Sequence, residues 1–249
     1  MIAVISPAKS LDFVSPLPPV EPGEPRFGAE AATLAHAAAR LPQKRLRELM
    51  GISPALAKLN HDRFAGFDAA ETRPALYAFA GDVYRGLDAA TLDEAAVAFA
   101  GDHLRILSGL YGLLRPLDAI APYRLEMGTH WAPRRTKLTD WWGDRIAGAL
   151  AADLADEGSG VVLNLASQEY WAAVNGRLPA GTRVIAIDFR EGEARRFNSF
   201  AAKRARGSMA RWLVEHRVDE PGGMMAFDTD GYRFDADASE PDRWTFVRA

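Results

Sequence analysis

Val161-Val162-Leu163-Asn164-Leu165 is an apolar, β-branched run too short to be a helix, and Val184-Ile185-Ala186-Ile187-Asp188 repeats the pattern further along the chain. Both read as central strands, because a strand covered on both faces carries continuous rather than alternating apolar residues. Ile2-Ala3-Val4-Ile5 is a run of the same kind, so residues 2–6 read as a buried first strand. Residues 29–40 and 42–50 space alanine and leucine as helices do. Ser53-Pro54 supplies an N-cap followed by proline at the first helical position, opening a helix through Phe64. Strands separated by helices predict an α/β (mixed α+β) fold. With no internal repeat or linker in view, residues 1–249 read as a single compact domain.

The remaining elements follow from local signals. Residues 16–25 are proline-rich and read as surface loop, and residues 72–79 as a helix interrupted by Gly81-Asp82-Val83-Tyr84-Arg85-Gly86. Thr91-x-x-Glu94 has capping-box spacing and opens another helix. Leucines in residues 103–127, broken by Gly109, Gly112, Pro116 and Pro122, predict short helices joined by tight hairpins. Residues 139–156 predict one longer helix, and residues 232–235 with 244–247 a closing hairpin.

Composition removes several function classes. The absence of cysteine excludes disulfides, thiolate metal sites and thiol peroxidase chemistry. A net charge of -3 argues against a generic polyanion binder, so any nucleic-acid reading rests on local clustering. The five histidines show no metal-ligand spacing and no glycine-rich cofactor fingerprint appears, so no metal and no cofactor are expected. The first residues carry no basic leader and no long apolar run follows, which points to a cytoplasmic protein without a membrane segment.

Four clusters could carry chemistry. Arg195, Arg196, Lys203, Arg204, Arg206, Arg211 and Arg217 fall in a stretch with no carboxylate between Glu193 and Glu215. On a helix starting near Ser199, Lys203, Arg204, Arg206 and Arg211 would oppose an apolar face of Ala201, Ala202, Ala205, Met209, Trp212 and Leu213, an arrangement suited to phosphate contacts. The plainer alternative is a solvated face paired to distant carboxylates. Second, in Ser108-Gly109-Leu110-Tyr111-Gly112-Leu113-Leu114-Arg115 the two glycines permit a tight turn between helices, the logic of a helix-hairpin-helix gripping DNA backbone. Third, Ser6-Pro7-Ala8-Lys9 has the spacing of an acyl-enzyme motif but lacks its companion elements. Lys9 reads better as a phosphate or carboxylate contact at a strand end. Fourth, Asp82, Tyr84, Arg124, Glu126, Asn164, Ser167, Glu169 and Tyr170 are polar groups in apolar or turn-rich sequence, a pocket composition in which glutamates could transfer protons. They could equally be hydrogen-bonded groups that fix loops.

Six motifs, in order along the chain, closely resemble the YaaA peroxide-stress family: Ser6-Pro7-Ala8-Lys9, Phe79-Ala80-Gly81-Asp82-Val83-Tyr84, residues 107–118, Pro122-Tyr123-Arg124-Leu125-Glu126-Met127, residues 163–170, and Ala202-Lys203-Arg204-Ala205-Arg206-Gly207. The resemblance implies a cytoplasmic protein that limits unincorporated iron, and with it Fenton damage to DNA. It also implies a cantaloupe-like fold with a positively charged cleft and a helix-hairpin-helix element binding double-stranded DNA without strong sequence preference. Carried onto this chain, the hairpin falls on Ser108, Gly109, Tyr111, Gly112 and Arg115, and the cleft draws on Lys9, Arg115, Arg124, Lys203, Arg204 and Arg206. The competing expectation is an enzyme holding a small anionic or nucleotide-like substrate with the same cations. A third is an iron-homeostasis factor that acts through a protein partner.

Overall fold

The computed structural model describes residues 1–249. The chain opens with strand β1 (Ile2–Ile5) and the short β2 (Ser10–Leu11), then helices α1 (Gly28–Ala39), α2 (Gln43–Met50) and α3 (Pro54–Ala65). Next come β3 (Arg73–Pro74), α4 (Ala75–Ala78), β4 (Phe79–Ala80), α5 (Asp82–Leu87) and α6 (Glu94–His103). The middle holds β5 (Leu104–Ser108), β6 (Gly112–Leu114), β7 (Ala119–Ile120), α7 (Leu138–Trp142) and α8 (Arg145–Glu157). The last part comprises β8 (Val161–Asn164), α9 (Gln168–Trp171), β9 (Arg183–Glu191), α10 (Ser199–Glu215), β10 (Arg233–Phe234) and β11 (Arg243–Arg248). No helix is long and apolar enough to cross a membrane.

Seven strands form one mixed sheet in the order β10-β11-β9-β8-β1-β5-β6. The five inner strands run parallel, and β10 and β6 close the edges antiparallel. All four residues of β1 are fully buried, as the continuous apolar run requires of a strand covered on both faces. From β1 the chain builds outward to β5 on one side and then returns to place β8 on the other. Strand order therefore reverses between β1 and β8, and the crevice beyond their carboxyl ends is where open α/β sheets hold ligands. One hydrophobic cluster of 62 buried residues runs from Met1 to Phe246.

Helix α10 lies on α5 and across β1 and β9. Two glycines let these helices meet backbone to backbone: a Cβ on Gly207 would overlap the Val83 carbonyl, and one on Gly86 would overlap the Arg204 carbonyl. That contact explains a departure from the expected interruption at residues 81–86. Gly86 sits inside a helix because only a hydrogen side chain allows α10 so close.

Other departures have equally local causes. The capping box is displaced: Asp93 is the N-cap of α6 and accepts from the Ala96 N–H at 2.7 Å, while the Thr91 hydroxyl donates to the Asp88 carbonyl. The long helix expected over residues 139–156 is broken at Gly143, whose φ of 53° no helix tolerates. Residues 72–79 divide into β3, α4 and the start of β4 rather than one helix.

The largest correction concerns residues 104–114. They form a β-hairpin, not two helices, with Ile106 opposite Leu114 and Ser108 opposite Gly112. Ser108, Gly109, Tyr111 and Gly112 are therefore not part of a helix-hairpin-helix. Ser108 is fully buried, Oγ to Oη with Tyr123 at 2.6 Å and accepting from the Tyr111 N–H at 2.8 Å. The Gly109 carbonyl accepts from the Trp142 indole N–H, and the Tyr111 hydroxyl, pushed up to about 12 by burial, accepts from the Ala121 N–H. Because Ser108→Ala leaves the Tyr111 N–H without its acceptor in a dry interior, urea denaturation should show a loss of roughly 1–3 kcal/mol. Ligand affinity should not change.

Candidate functional site

Two loops leave the sheet side by side at the strand-order reversal. After β1 the chain continues as Ser6-Pro7-Ala8-Lys9, and after β8 as Leu165-Ala166-Ser167. The Ser6 Oγ accepts from the Ser167 N–H at 2.9 Å and lies 3.3 Å from the Ser167 hydroxyl. Below them Tyr84 donates to the Ser6 carbonyl at 3.3 Å. Burial, reinforced by the neighbouring Tyr123 and Tyr170, holds the Tyr84 hydroxyl well above its usual pKa. Tyr84 therefore stays protonated and positions the Ser6 loop. Asn164 turns its Oδ1 back to the Ala166 N–H at 3.0 Å, which shapes the second loop.

A cleft of about 780 Å³ opens above these loops. Lys9 enters from the β1 loop, Gly81 and Asp82 from the start of α5, Ser167 from the β8 loop and Glu169 from the first turn of α9. Asp188 and Arg190 come from the end of β9, Arg243 from β11, and Lys203 and Arg206 from α10. Five cationic side chains thus face three carboxylates.

The pairing within the cleft is uneven. Asp188 Oδ2 takes both Arg190 at 3.3 Å and Arg243 at 3.6 Å. Lys9 stands 3.6 Å from Glu126, which also accepts from Arg124 at 2.9 Å. Glu169 accepts from the Gly128 N–H at 3.1 Å, and Asp82 pairs with Arg85. Lys203 has its ammonium 5.9 Å from the Phe200 ring centre and forms no ion pair. The Arg206 Nε is buried and bonded to nothing. Burial draws the Arg206 guanidinium below its usual pKa, opposed by the charge of Asp188. A desolvated cation that lacks an acceptor is costly, and an anion bound in the cleft would relieve it.

Of the residues expected to form one cationic groove, Lys9, Lys203 and Arg206 share this cleft. Arg124 is half-buried beside it, against Glu126. Arg204 faces the neighbouring depression and stands 3.7 Å from Asp230. Arg115 lies in a separate depression, 3.8 Å from Asp153, so it is not a cleft residue. Among the expected pocket groups, Asp82, Ser167 and Glu169 line the cleft, whereas Glu126 stands next to Lys9 and Tyr84 and Asn164 hold its loops. Farther along α10, Arg211 is tied to Glu215 and reaches the Leu87 and Asp88 carbonyls. The plainer alternative of a paired basic face therefore holds for that end of the helix.

Sequence reasoning missed Asp188, Arg190, Phe197 and Arg243. The available signal was the charged pair bracketing Phe189 at the end of a strand run, since strand ends in such sheets are where ligands meet side chains. It also missed a second basic surface. Arg40 at the end of α1 and Arg134 line one depression with His36 and Trp141, and Arg135 lies beside them. Arg40, Arg134, Arg135 and Lys137 are exposed and form no ion pair, and the Arg145 guanidinium stacks 4.4 Å from the Trp141 ring centre. After Arg40 the chain forms α2 and α3, which pack together across a short turn, Gly51-Ile52-Ser53, with Gly51 left-handed and Ser53 accepting from the Leu56 N–H.

A family model described as peroxide stress protein YaaA matches residues 1–238. The chain is 59% identical over 251 residues to a UPF0246 protein of Rhizorhabdus wittichii, covering 100% of this chain and 99% of that protein. It is 48% identical over 255 residues to a UPF0246 protein of Ruegeria pomeroyi, with 100% and 98% covered. A UPF0246 protein of Methylibium petroleiphilum is 46% identical over 255 residues, with 100% and 99% covered.

Proposed function

Because the chain belongs to the peroxide stress protein YaaA family, we propose that it serves the peroxide response by binding a small phosphate- or carboxylate-bearing ligand in the cleft beyond β1 and β8. One observation carries this reading: Lys203 and Arg206, one turn apart on α10, face the cleft without carboxylate partners, and the Arg206 Nε is buried with no acceptor. The volume suits a small molecule, since ligand pockets run from about 300 to 1,000 Å³, and a duplex needs a wider trough. Glu169, exposed at the rim, is the carboxylate placed to exchange a proton with a bound ligand.

Thermal unfolding in the presence of inorganic phosphate tests the reading. Binding to the folded state stabilises it by about 1.4 kcal/mol at ten times Kd. We expect a phosphate-dependent rise in Tm that the Lys203→Ala/Arg206→Ala double variant lacks. An identical rise in both proteins would remove these residues from the site.

A second reading, association with double-stranded DNA, is favoured by the exposed, unpaired cations Arg40, Arg134, Arg135 and Lys137, of which Arg40 and Arg134 line one depression. In this reading the helix-hairpin-helix of the family corresponds to Gln43–Met50 and Pro54–Ala65. Phosphate contacts would make log K fall with log salt by about 0.9 per neutralised phosphate. The Arg134→Ala/Arg135→Ala variant should therefore flatten the slope by about 2 in duplex-binding titrations. A slope equal to that of the unaltered protein would place the DNA elsewhere.

A further inference from the structure

The cleft is lined by two chemically different sets of side chains, and together they narrow the ligand. One is the pair of cations without ion-pair partners, Lys203 and Arg206. The other is Phe197, 54% exposed. The Arg190 guanidinium lies 5.6 Å from the Phe197 ring centre, and Phe200, 73% exposed, lines the neighbouring depression. Phe197 and Phe200 are the two aromatic side chains among the exposed large hydrophobics. A phenyl ring left in water beside a guanidinium is a surface on which a flat heterocycle stacks, gaining both ring overlap and the cation's field. Asp188 lines the same cleft, and its ion pairs both use Oδ2. Its Oδ1 is free to accept from hydroxyls, the part that an acidic residue at a strand end plays toward a ribose.

We propose that the cleft binds a nucleoside monophosphate, with the phosphate on Lys203 and Arg206, the ribose hydroxyls on Asp188 and the base stacked on Phe197. This rests on the anion-binding reading of the same cleft and adds the base and sugar to it. The strand-order reversal places the site where open parallel sheets take nucleotides, so the topology and the side chains agree. Phe197 belongs to the segment between β9 and α10 and contributes no buried surface to the core, so it can be replaced without unfolding the chain.

The test is calorimetric titration of the whole protein with three probes: adenosine 5′-monophosphate, ribose 5-phosphate and inorganic phosphate. The nucleotide should bind roughly ten-fold tighter than ribose 5-phosphate, the gain expected of one stacked base. Phe197→Ala should erase that gap without changing the affinity for ribose 5-phosphate, and Phe197→Trp should preserve it. Equal affinity for the nucleotide and the sugar phosphate overturns the nucleoside assignment and leaves the anion site standing, and a gap that survives Phe197→Ala overturns the placement of the base on Phe197. Failure of all three probes overturns both. A 5′-phosphorylated deoxyadenosine octamer gives the last arm. If it binds ten-fold tighter than deoxyadenosine 5′-monophosphate, the nucleoside phosphate chemistry is kept but its source is a strand end, not the free mononucleotide.

Discussion

Asp153→Ala is expected to destabilise the protein by roughly 3–5 kcal/mol, because it leaves buried guanidinium charge without a counter-ion. Asp153 is 4% exposed and accepts from the Nε of Arg105 at 2.6 Å on one oxygen and from Arg26 on the other, with Arg115 at 3.8 Å. Arg105, itself 3% exposed, is further tied to the Gly101 and Leu104 carbonyls and cannot follow its charge out to water. The cluster joins the N-terminal loop, β5 and α8. Burial alone would raise the Asp153 pKa, but the hydrogen bonds and charges of Arg105 and Arg26 outweigh it and hold the carboxyl below its ordinary value. A folded-state pKa below the unfolded one means that the stabilisation is complete above about pH 4 and is lost as pH falls through the folded value. Urea denaturation at neutral pH and again at pH 3 should therefore show the gap between Asp153→Ala and the unaltered protein narrowing in acid. A neutral-pH difference under about 1 kcal/mol would mean that the arginines find other partners.

The second large effect is expected at the crossing of α5 and α10. Gly207→Ala puts a methyl group into the Val83 carbonyl, a backbone atom that cannot rotate away, so the two helices must separate. Overpacking of this kind costs about 1–3 kcal/mol where side chains can yield, and here the cost should reach or exceed the upper end. Gly148→Ala in α8 is the matched control. That position meets nothing within 4 Å and is exposed, so helix propensity alone should stabilise the protein by about 0.5–1 kcal/mol. Opposite signs in denaturation midpoints for two Gly→Ala changes in helices would establish that contact, not propensity, governs residue 207. Because Lys203 and Arg206 flank the crossing, Gly207→Ala should also weaken phosphate binding.

Much of the architecture was legible wherever one signal spoke alone. Continuous apolar runs marked β1, β8 and β9, the Ser53-Pro54 pair marked the start of α3, and the alanine face of residues 202–213 marked α10. Where two signals conflicted, the local one misled. Leucines at residues 104–114 satisfy helical spacing, yet in a strand buried on both faces every position is apolar and the period vanishes. Gly86 has the look of a breaker but serves a helix-to-helix contact that only the tertiary structure reveals. The site divides in the same way. Lys9, Ser167 and Glu169 follow strand runs and could be placed by chain order, whereas Arg115, which the resemblance assigns to the cleft, belongs with Asp153. Phe197 was missed because an exposed aromatic on a connecting segment has no periodicity to betray it.

The backbone contact between α5 and α10 has a mechanical corollary. With glycine on both helices at the crossing, no side chain separates the backbones there, so rolling or sliding would drive one backbone into the other and the two shift as a rigid block. The spacing between Asp82 on one and Lys203 and Arg206 on the other is set once, when the chain folds. Discrimination among ligands then falls to the geometry each guest brings, since the host does not adjust its grip, and little ordering entropy remains to be lost on arrival.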